Sequence, residues 1–407
     1  MAVLKDKRKV PMLRFPAFEG EWKFTRLLDL VSIVNGQVDP KVPPYHSYVL
    51  IAPNHIESES GRIIEKVTAA EQGAISGKYL FESGDVVYSK IRPYLMKAFL
   101  ADHTGLCSAD MYPMRPSVRM SSDFLLAIML GKRLTKYANT VSYRTGIPKI
   151  NRDELGEFHL PLPSLPEQQK IAAFLTTIDT RIQQLSRKVA LLEQYKKGVM
   201  QQLFSQTIRF KDEQGRDFPD WEEVRLGEVL HEHKSKSEGT EHVFSVSVHK
   251  GLVNQIEHLG RSFAAKSTAH YNLVKPHDIV YTKSPTGDFP YGIIKQSRVA
   301  ENVIVSPLYG VFSPETPALG YILNDYFESS VNTHNYLHSI IQKGAKNTIN
   351  ITNSTFLSKS LKLPRSKEEQ QRIANFLTAI NEKIERTQLR LQYTQTFKRG
   401  LLQQMFV

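Results

Sequence analysis

One stretch occurs in the chain twice, and the two copies restrict what it can fold into more than any other feature. Residues 167–182 read EQQKIAAFLTTIDTRI and residues 369–384 read EQQRIANFLTAINEKI. The copies close with KKGVMQQLF at Phe204 and KRGLLQQMF at Phe406. The offset is 202 at both ends (369 − 167 and 406 − 204), so the copies stay in register without a gap. Identical pairs include Ile171/Ile373, Phe174/Phe376, Leu175/Leu377, Ile178/Ile380, Ile182/Ile384, Lys196/Lys398 and Gly198/Gly400. The chain is an internal duplication, and each half ends in the same long helix.

Apolar positions in each copy step by four and three. The first copy carries Ile171, Leu175, Ile178, Ile182, Leu185, Val189 and Leu192. The second carries Ile373, Leu377, Ile380, Ile384 and Leu391, with Thr387 and Thr394 interrupting. A mean step of about 3.5 is a coiled-coil seam, narrower than the stripe of an ordinary surface helix. Such a seam needs a partner helix, and the natural partner is the other copy. A long helix packed only on its own domain fits the pattern poorly. Each helix would reach roughly 57 Å at 1.5 Å per residue. Lys196 and Lys398 interrupt both seams at the same place, so the far ends are expected to splay or to receive another chain.

The two halves also open alike. LRFPAFEGEWKFTRLLDLV (13–31) has its counterpart in IRFKDEQGRDFPDWEEVRLGEVL (208–230), which pairs Arg14 with Arg209, Phe15 with Phe210 and Trp22 with Trp221. The chain's two tryptophans therefore sit at one repeated place, where packing is the expected role. Between opening and helix lie two diverged segments that still share a strand, GDVVYSKI (84–91) against HDIVYTKS (277–284). Helices are expected from Ser121 to about Asn139 and from Pro317 to Gln342. Each runs into a basic loop, SYRTGIPKI (142–150) or KGAKNTINI (343–351), and then into a strand ending LPLP or LKLP. The expected organisation is a first domain at 1–160 (with a basic tail at 1–12), a central helix at 161–206, a second domain at 207–362 and a C-terminal helix at 363–407. The fold class is α/β (α+β): two domains separated by two long helices pairing as an antiparallel coiled coil, with pseudo-two-fold duplication.

Composition narrows the function. A net charge of +12 makes a polyanion the first candidate partner. The single cysteine, Cys107, excludes an internal disulfide framework and suits a reducing cytoplasm. No run of about eighteen apolar residues suggests a membrane span. Catalytic motifs are only mimicked. VPPY (42–45) has Val42 where an amino-methyltransferase needs an amide or carboxylate, and no glycine-rich cofactor loop accompanies it. Pro219-Asp220 with Glu232-His233-Lys234 mimics a nuclease site, yet Asp220 belongs to the duplicated opening. The loop Gly73–Lys78 is one residue short of a phosphate loop. His231 and His233 lack zinc-site companions and are expected to be solvated.

What remains is basic residues interleaved with aromatic and small polar ones. Lys90, Arg92, Tyr94 and Lys97 form one cluster, and Tyr143, Arg144 and Lys149 another. In the second half Lys283, Thr286 and Tyr291 stand in the first cluster's place, and Lys343, Lys346 and Asn347 in the second's. Such residues fix phosphates and read base edges. Their recurrence at equivalent places in both halves carries the reading.

The E-Q-Q-x-I-A-x-F-L stretch, the paired closings and the opening LRFPAFEGEW together resemble the specificity (S) subunit of type I restriction-modification enzymes. YSKIRPYL (88–95) also resembles that family's recognition domains. The resemblance covers essentially the whole chain. It implies a non-catalytic, DNA-associated cytoplasmic protein of a bacterial or archaeal host-defence system. Each diverged segment would read half of an asymmetric bipartite site on double-stranded DNA. It further implies docking of two methyltransferase (M) subunits, joined by restriction (R) subunits. S-adenosylmethionine, ATP and Mg2+ would then serve the partners, making the complex an adenine-N6 methyltransferase and ATP-dependent endonuclease. The alternatives are the specificity subunit of a methyltransferase-only system, a coiled-coil adaptor that binds only protein, and a self-sufficient nucleic-acid enzyme.

Overall fold

The structure is a computed structural model that describes residues 9–142, 146–259, 267–343 and 349–406. It divides into two compact units: residues 1–187 with 388–407, and residues 188–387. Four helices organise them: α1 (Ser122–Met129), α2 (Leu165–Phe204), α3 (Pro317–Phe327) and α4 (Lys367–Met405).

The two units repeat one sheet. In unit 1 an antiparallel four-stranded sheet runs in the order Val31–Ile33, Met111–Pro116, Val86–Ser89, Ala98–Leu100. In unit 2 the order is Leu230–Glu232, Gly310–Pro314, Ile279–Tyr281, Ile294–Gln296. The shared strand read from the sequence is central in both. Its residues Val86, Val87 and Tyr88, or Ile279, Val280 and Tyr281, are fully buried. The opening strand Lys23–Arg26 pairs antiparallel with His159–Leu162, and Glu222–Arg225 pairs with Ser360–Leu363.

Both domain helices are shorter than their periodicity suggests. The first stops at Met129, and a second helix (Lys132–Val141) starts with Gly131 as its N-cap in extended conformation. The other stops at Phe327, and Ser329 caps the next helix (Ser330–Leu337) by accepting the Asn332 N–H. A glycine and a capping serine thus break runs whose apolar spacing carries straight on.

The long helices pair start against end. In unit 1 Ile171, Leu175 and Ile178 of α2 share a core with Leu401 and Met405 of α4. In unit 2 Val199, Met200 and Leu203 of α2 share a core with Ile373, Leu377, Ile380 and Ile384 of α4. Both arrangements are antiparallel. Leu185 is also buried, whereas Ile182, Val189, Leu192 and Leu391 are only partly so. Lys196 and Lys398 do not make the ends splay. Lys398 Nζ lies 2.6 Å from Asp179 of α2 within unit 1. Lys196 Nζ lies 3.1 Å from Asp325 and 2.5 Å from Glu328 within unit 2. Each lysine is a clamp whose counter-ions are remote in sequence. Among the described residues no helix is long and apolar enough to cross a membrane.

The repeated Glu-Gln-Gln explains itself as a socket. Trp22 Nε1–H donates to Glu167 at 3.3 Å, and Trp221 Nε1–H donates to Glu369 at 3.1 Å. The next residue holds the domain helix. Gln168 Oε1 accepts the N–H of Ser121, the N-cap of α1, and Gln370 Oε1 accepts the hydroxyl of Thr316, the N-cap of α3. The two sockets differ in charge. Arg14 grips both oxygens of Glu167 at 2.7 and 2.9 Å. Arg209 instead turns to Asp220 and the Phe218 and Pro219 carbonyls. Glu369 Oε2 is left without a partner, and burial raises the Glu369 pKa above the usual carboxylate value.

The protonated form of Glu369 therefore favours the fold. Its stabilisation is complete below the ordinary carboxylate pKa and is lost as pH climbs through the raised one. Glu369→Gln should raise unit 2's unfolding transition at pH 7 by about 1 kcal/mol and flatten its acid-side pH dependence. Glu167→Gln should cost unit 1 about 3 kcal/mol, because the Arg14 guanidinium loses its counter-ion. Denaturant melts of both variants at pH 5 and pH 8 check this; equal effects in the two units would contradict it.

Candidate nucleic-acid interface

In unit 1 the hairpin of Val86–Ser89 and Ala98–Leu100 is joined by the loop 90–97. That loop is stitched to the segment before the short helix Arg152–Gly156. The Ile150 N–H donates to the Lys90 carbonyl at 2.9 Å, the Arg92 N–H donates to the Pro148 carbonyl at 2.7 Å, and Ile91 bridges Lys149. Two basic clusters about sixty residues apart in sequence (90 to 149) thus meet on one ledge. Arg92 and Met96 sit in the left-handed region, with φ of 47° and 49°, where a non-glycine residue is held against its preference. Arg92, Tyr94 and Lys149 are exposed there.

The remaining cations are more constrained. Lys90 is half-buried, with its ammonium 5.1 Å above the Tyr112 ring. Lys97 Nζ donates to the Pro53 carbonyl at 2.7 Å, which fixes the far end of the loop. Tyr143 and Arg144 lie outside the described residues. Arg152 escaped the sequence reading. Its guanidinium lies 5.3 Å from the Tyr112 ring and 5.9 Å from the Tyr79 ring, and donates to the Val34 carbonyl at 2.8 Å. The available signal was the capping box Asn151–Glu154 around it, which starts a short helix straight after the basic loop.

In unit 2 the equivalent loop runs from Lys283 to Gly292. Lys283 is also left-handed, at φ 53°. Burial lowers its pKa, opposed by the charge of Glu232. Gly292 is required: a Cβ there would come within 2.9 Å of the Lys283 nitrogen and the Tyr281 ring. Thr286 and Phe289 exchange two backbone hydrogen bonds of 3.0 and 2.9 Å, leaving Thr286, Gly287 and Asp288 exposed at the tip. The Tyr291 carbonyl accepts the Tyr281 hydroxyl at 2.7 Å, and its ring lies 5.2 Å from that of His334. Lys343 lies on the strand Gln342–Lys343, while Lys346 and Asn347 fall outside the described residues.

At the other end of each central strand sits an aspartate with a different partner. Asp85 accepts two bonds from Arg115 at 3.0 and 3.1 Å. Asp278 is bonded to His233 Nε2 at 2.8 Å and accepts the Ser313 hydroxyl at 2.7 Å. His233 is therefore largely buried and paired rather than solvated, whereas His231 is exposed. The nuclease mimic dissolves as well: Asp220 pairs with Arg209, and Glu232 accepts from Asn353. Lys78, of the would-be phosphate loop, turns onto Ser76 of its own loop.

A family model described as the type I restriction modification DNA specificity domain matches residues 19–194. Over those residues the chain is similar to that family. The chain is 35% identical over 189 residues to the type I restriction enzyme EcoDI specificity subunit of Escherichia coli, covering 44% of this chain and 41% of that protein. A second relative is the MjaVIII specificity subunit of Methanocaldococcus jannaschii, 24% identical over 220 residues, covering 52% of this chain and 49% of that protein. The matches thus span about half or less of these curated relatives. Among solved structures, the S subunit of a type I restriction-modification system from M. genitalium is similar at a TM-score of 0.63 and 14% identity. That likeness covers 98% of this chain and 99% of the other. The likeness of fold therefore runs over both units.

Proposed function

We propose that the chain is the non-catalytic DNA-recognition subunit of a type I restriction-modification complex, each unit reading one half of an asymmetric bipartite site. The observation that carries this reading is the duplicated socket. Glu167 with Trp22 and Glu369 with Trp221 seat two diverged heads on near-identical helices. A protein that needs two different readings from one scaffold has this pattern: identical mounts and different loops. The loops 90–97 and 283–292 supply the difference. Arg92 and Lys149 suit phosphate or guanine contacts, whereas Thr286 and Asp288 suit a base edge carrying a donor.

Methyl transfer and cleavage would then belong to partners, together with S-adenosylmethionine, ATP and Mg2+. Two methyltransferase subunits have a matched pair of docking faces available. Leu191 and Tyr195 on α2 are each 54% exposed, and their equivalents Tyr393 and Phe397 on α4 are 71% and 57% exposed. The spacing in each pair is four residues, one helical face.

Arg92→Gly removes a side chain while relieving the left-handed backbone, so the fold should persist. Binding to duplexes that carry the first half-site should weaken about 10- to 100-fold, with the second half-site read as before. Lys283→Ala should do the reverse. Fluorescence binding to duplexes mutated in one half-site at a time measures this, once methylation sequencing of cells carrying the chain with its methyltransferase has defined the site. Equal loss at both half-sites from either variant would refute one unit per half-site.

A further inference from the structure

The helix Ser330–Leu337 of unit 2 has only eight residues but is firmly mounted. Thr333, Tyr336 and Leu337 are buried. The Tyr336 hydroxyl donates to the Phe356 carbonyl at 2.7 Å, and the Thr333 hydroxyl to the Phe327 carbonyl at 2.8 Å. Lys359 Nζ donates to the Asn335 and Tyr336 carbonyls and to the Ser339 hydroxyl, each at 3.0 Å, which closes the C-terminal end. The outer face carries His334 and His338, one turn apart and both exposed.

Their rings lie within 4° of parallel with centres 5.1 Å apart, and the Tyr291 ring lies 5.2 Å from that of His334. A carbonyl oxygen only accepts, so the His338 Nδ1 that stands 3.2 Å from the His334 carbonyl carries a proton. Nε2 is then the lone-pair nitrogen of neutral His338. A backbone carbonyl holding the other ring nitrogen in this way is the common support of a metal-ligating histidine. A tetrahedral ion bonded at about 2.0–2.1 Å to one nitrogen of each ring places the ring centres about 5 Å apart. That separation is already present, so binding turns the rings out of parallel without moving the helix. The pair also stands at the helix's carboxyl end, where the macrodipole favours positive charge, as Lys359 already shows. Among the described residues no group of three or more His, Cys, Asp or Glu side chains could hold a metal ion, so water would complete a two-histidine chelate.

We propose that His334 and His338 form a chelating site for a divalent transition ion of the Cu2+, Ni2+ and Zn2+ class. Imidazole suits these ions, whereas Mg2+ and Ca2+ take oxygen ligands. The bound ion would fix His334 and, through the ring contact, Tyr291 at the end of the loop 283–292. The site goes beyond DNA recognition and stands whether or not that loop reads a base.

Calorimetric titration of the full-length chain with Cu2+ and, separately, with Zn2+ is the test. One ion per chain is expected, with a dissociation constant of about 10 µM or below for Cu2+ and a larger one for Zn2+. His334→Asn and His338→Asn should each weaken Cu2+ binding at least about tenfold. His231→Asn, at an exposed histidine elsewhere in the unit, should leave it unchanged. Both ring faces are exposed, so these variants should fold. His338→Asn combined with Ser339→His keeps the number of histidines but breaks the one-turn spacing, and should bind no better than His338→Asn alone. Cu2+ binding that keeps its strength in either single variant, or that the shifted pair restores, overturns the chelate and leaves an adventitious ion only. Absence of saturable one-to-one binding overturns it as well.

Discussion

Leu377→Asp is expected to lower the stability of unit 2 by about 4–5 kcal/mol, the largest effect of any single change on the helix pair. Leu377 is fully buried among Ile373, Ile380, Ile384, Val199 and Leu203. A carboxylate there loses its hydration, and the side chains of that cluster offer it no counter-charge. Removal of the leucine also leaves a cavity, which adds to the transfer cost. Leu391→Asp is the internal control. It lies on the same helix and the same seam but is only partly buried, so a change below about 1 kcal/mol is expected. Denaturant melts followed by the fluorescence of Trp221 in a Trp22→Phe background report unit 2 for Leu377→Asp, and those followed by Trp22 in a Trp221→Phe background report unit 1, where Leu391 lies. Similar losses from both variants would mean that the seam is uniformly buried, contrary to the two separately packed ends.

Much of this architecture is legible in the chain because it is written twice. Register and seam positions follow from comparing residue i with residue i + 202, and the two buried tryptophans from the repeated opening, where the offset is 199 (221 − 22). What periodicity cannot show is where a partner comes from. Lys196 reads as a break in a seam because its counter-ions, Asp325 and Glu328, lie about 130 residues away on a helix of the domain (325 − 196 and 328 − 196). The helix stop at Gly131 is hidden because Leu134 and Ala138 continue the apolar spacing beyond it. The basic loops are legible by composition, yet the meeting of Lys149 with Arg92 depends on backbone hydrogen bonds that side-chain type does not encode. The same limit hid Arg152, whose donors serve backbone carbonyls of the segment 33–34.

The second large effect concerns stoichiometry. Tyr393 and Phe397 project from the last turns of α4 in unit 1, and Leu191 and Tyr195 from the last turns of α2 in unit 2, each pair repeating the other at the offset of 202. Aromatic and leucine side chains more than half exposed at i and i+4 are costly to leave in water, and duplicate faces imply duplicate partners. Tyr393→Asp with Phe397→Asp should abolish one docking face by at least about 100-fold in affinity, while the other continues to bind. The chain's own stability should change by less than about 1 kcal/mol, since neither side chain is buried. If the proposed methyltransferase partners dock there, native mass spectrometry of the chain with them is expected to shift from two partner subunits to one. The Leu191→Asp, Tyr195→Asp pair should do the same, and the four changes together should leave the chain unbound. Retention of two subunits in either double variant would remove these faces from the assembly and leave the exposed aromatics unexplained.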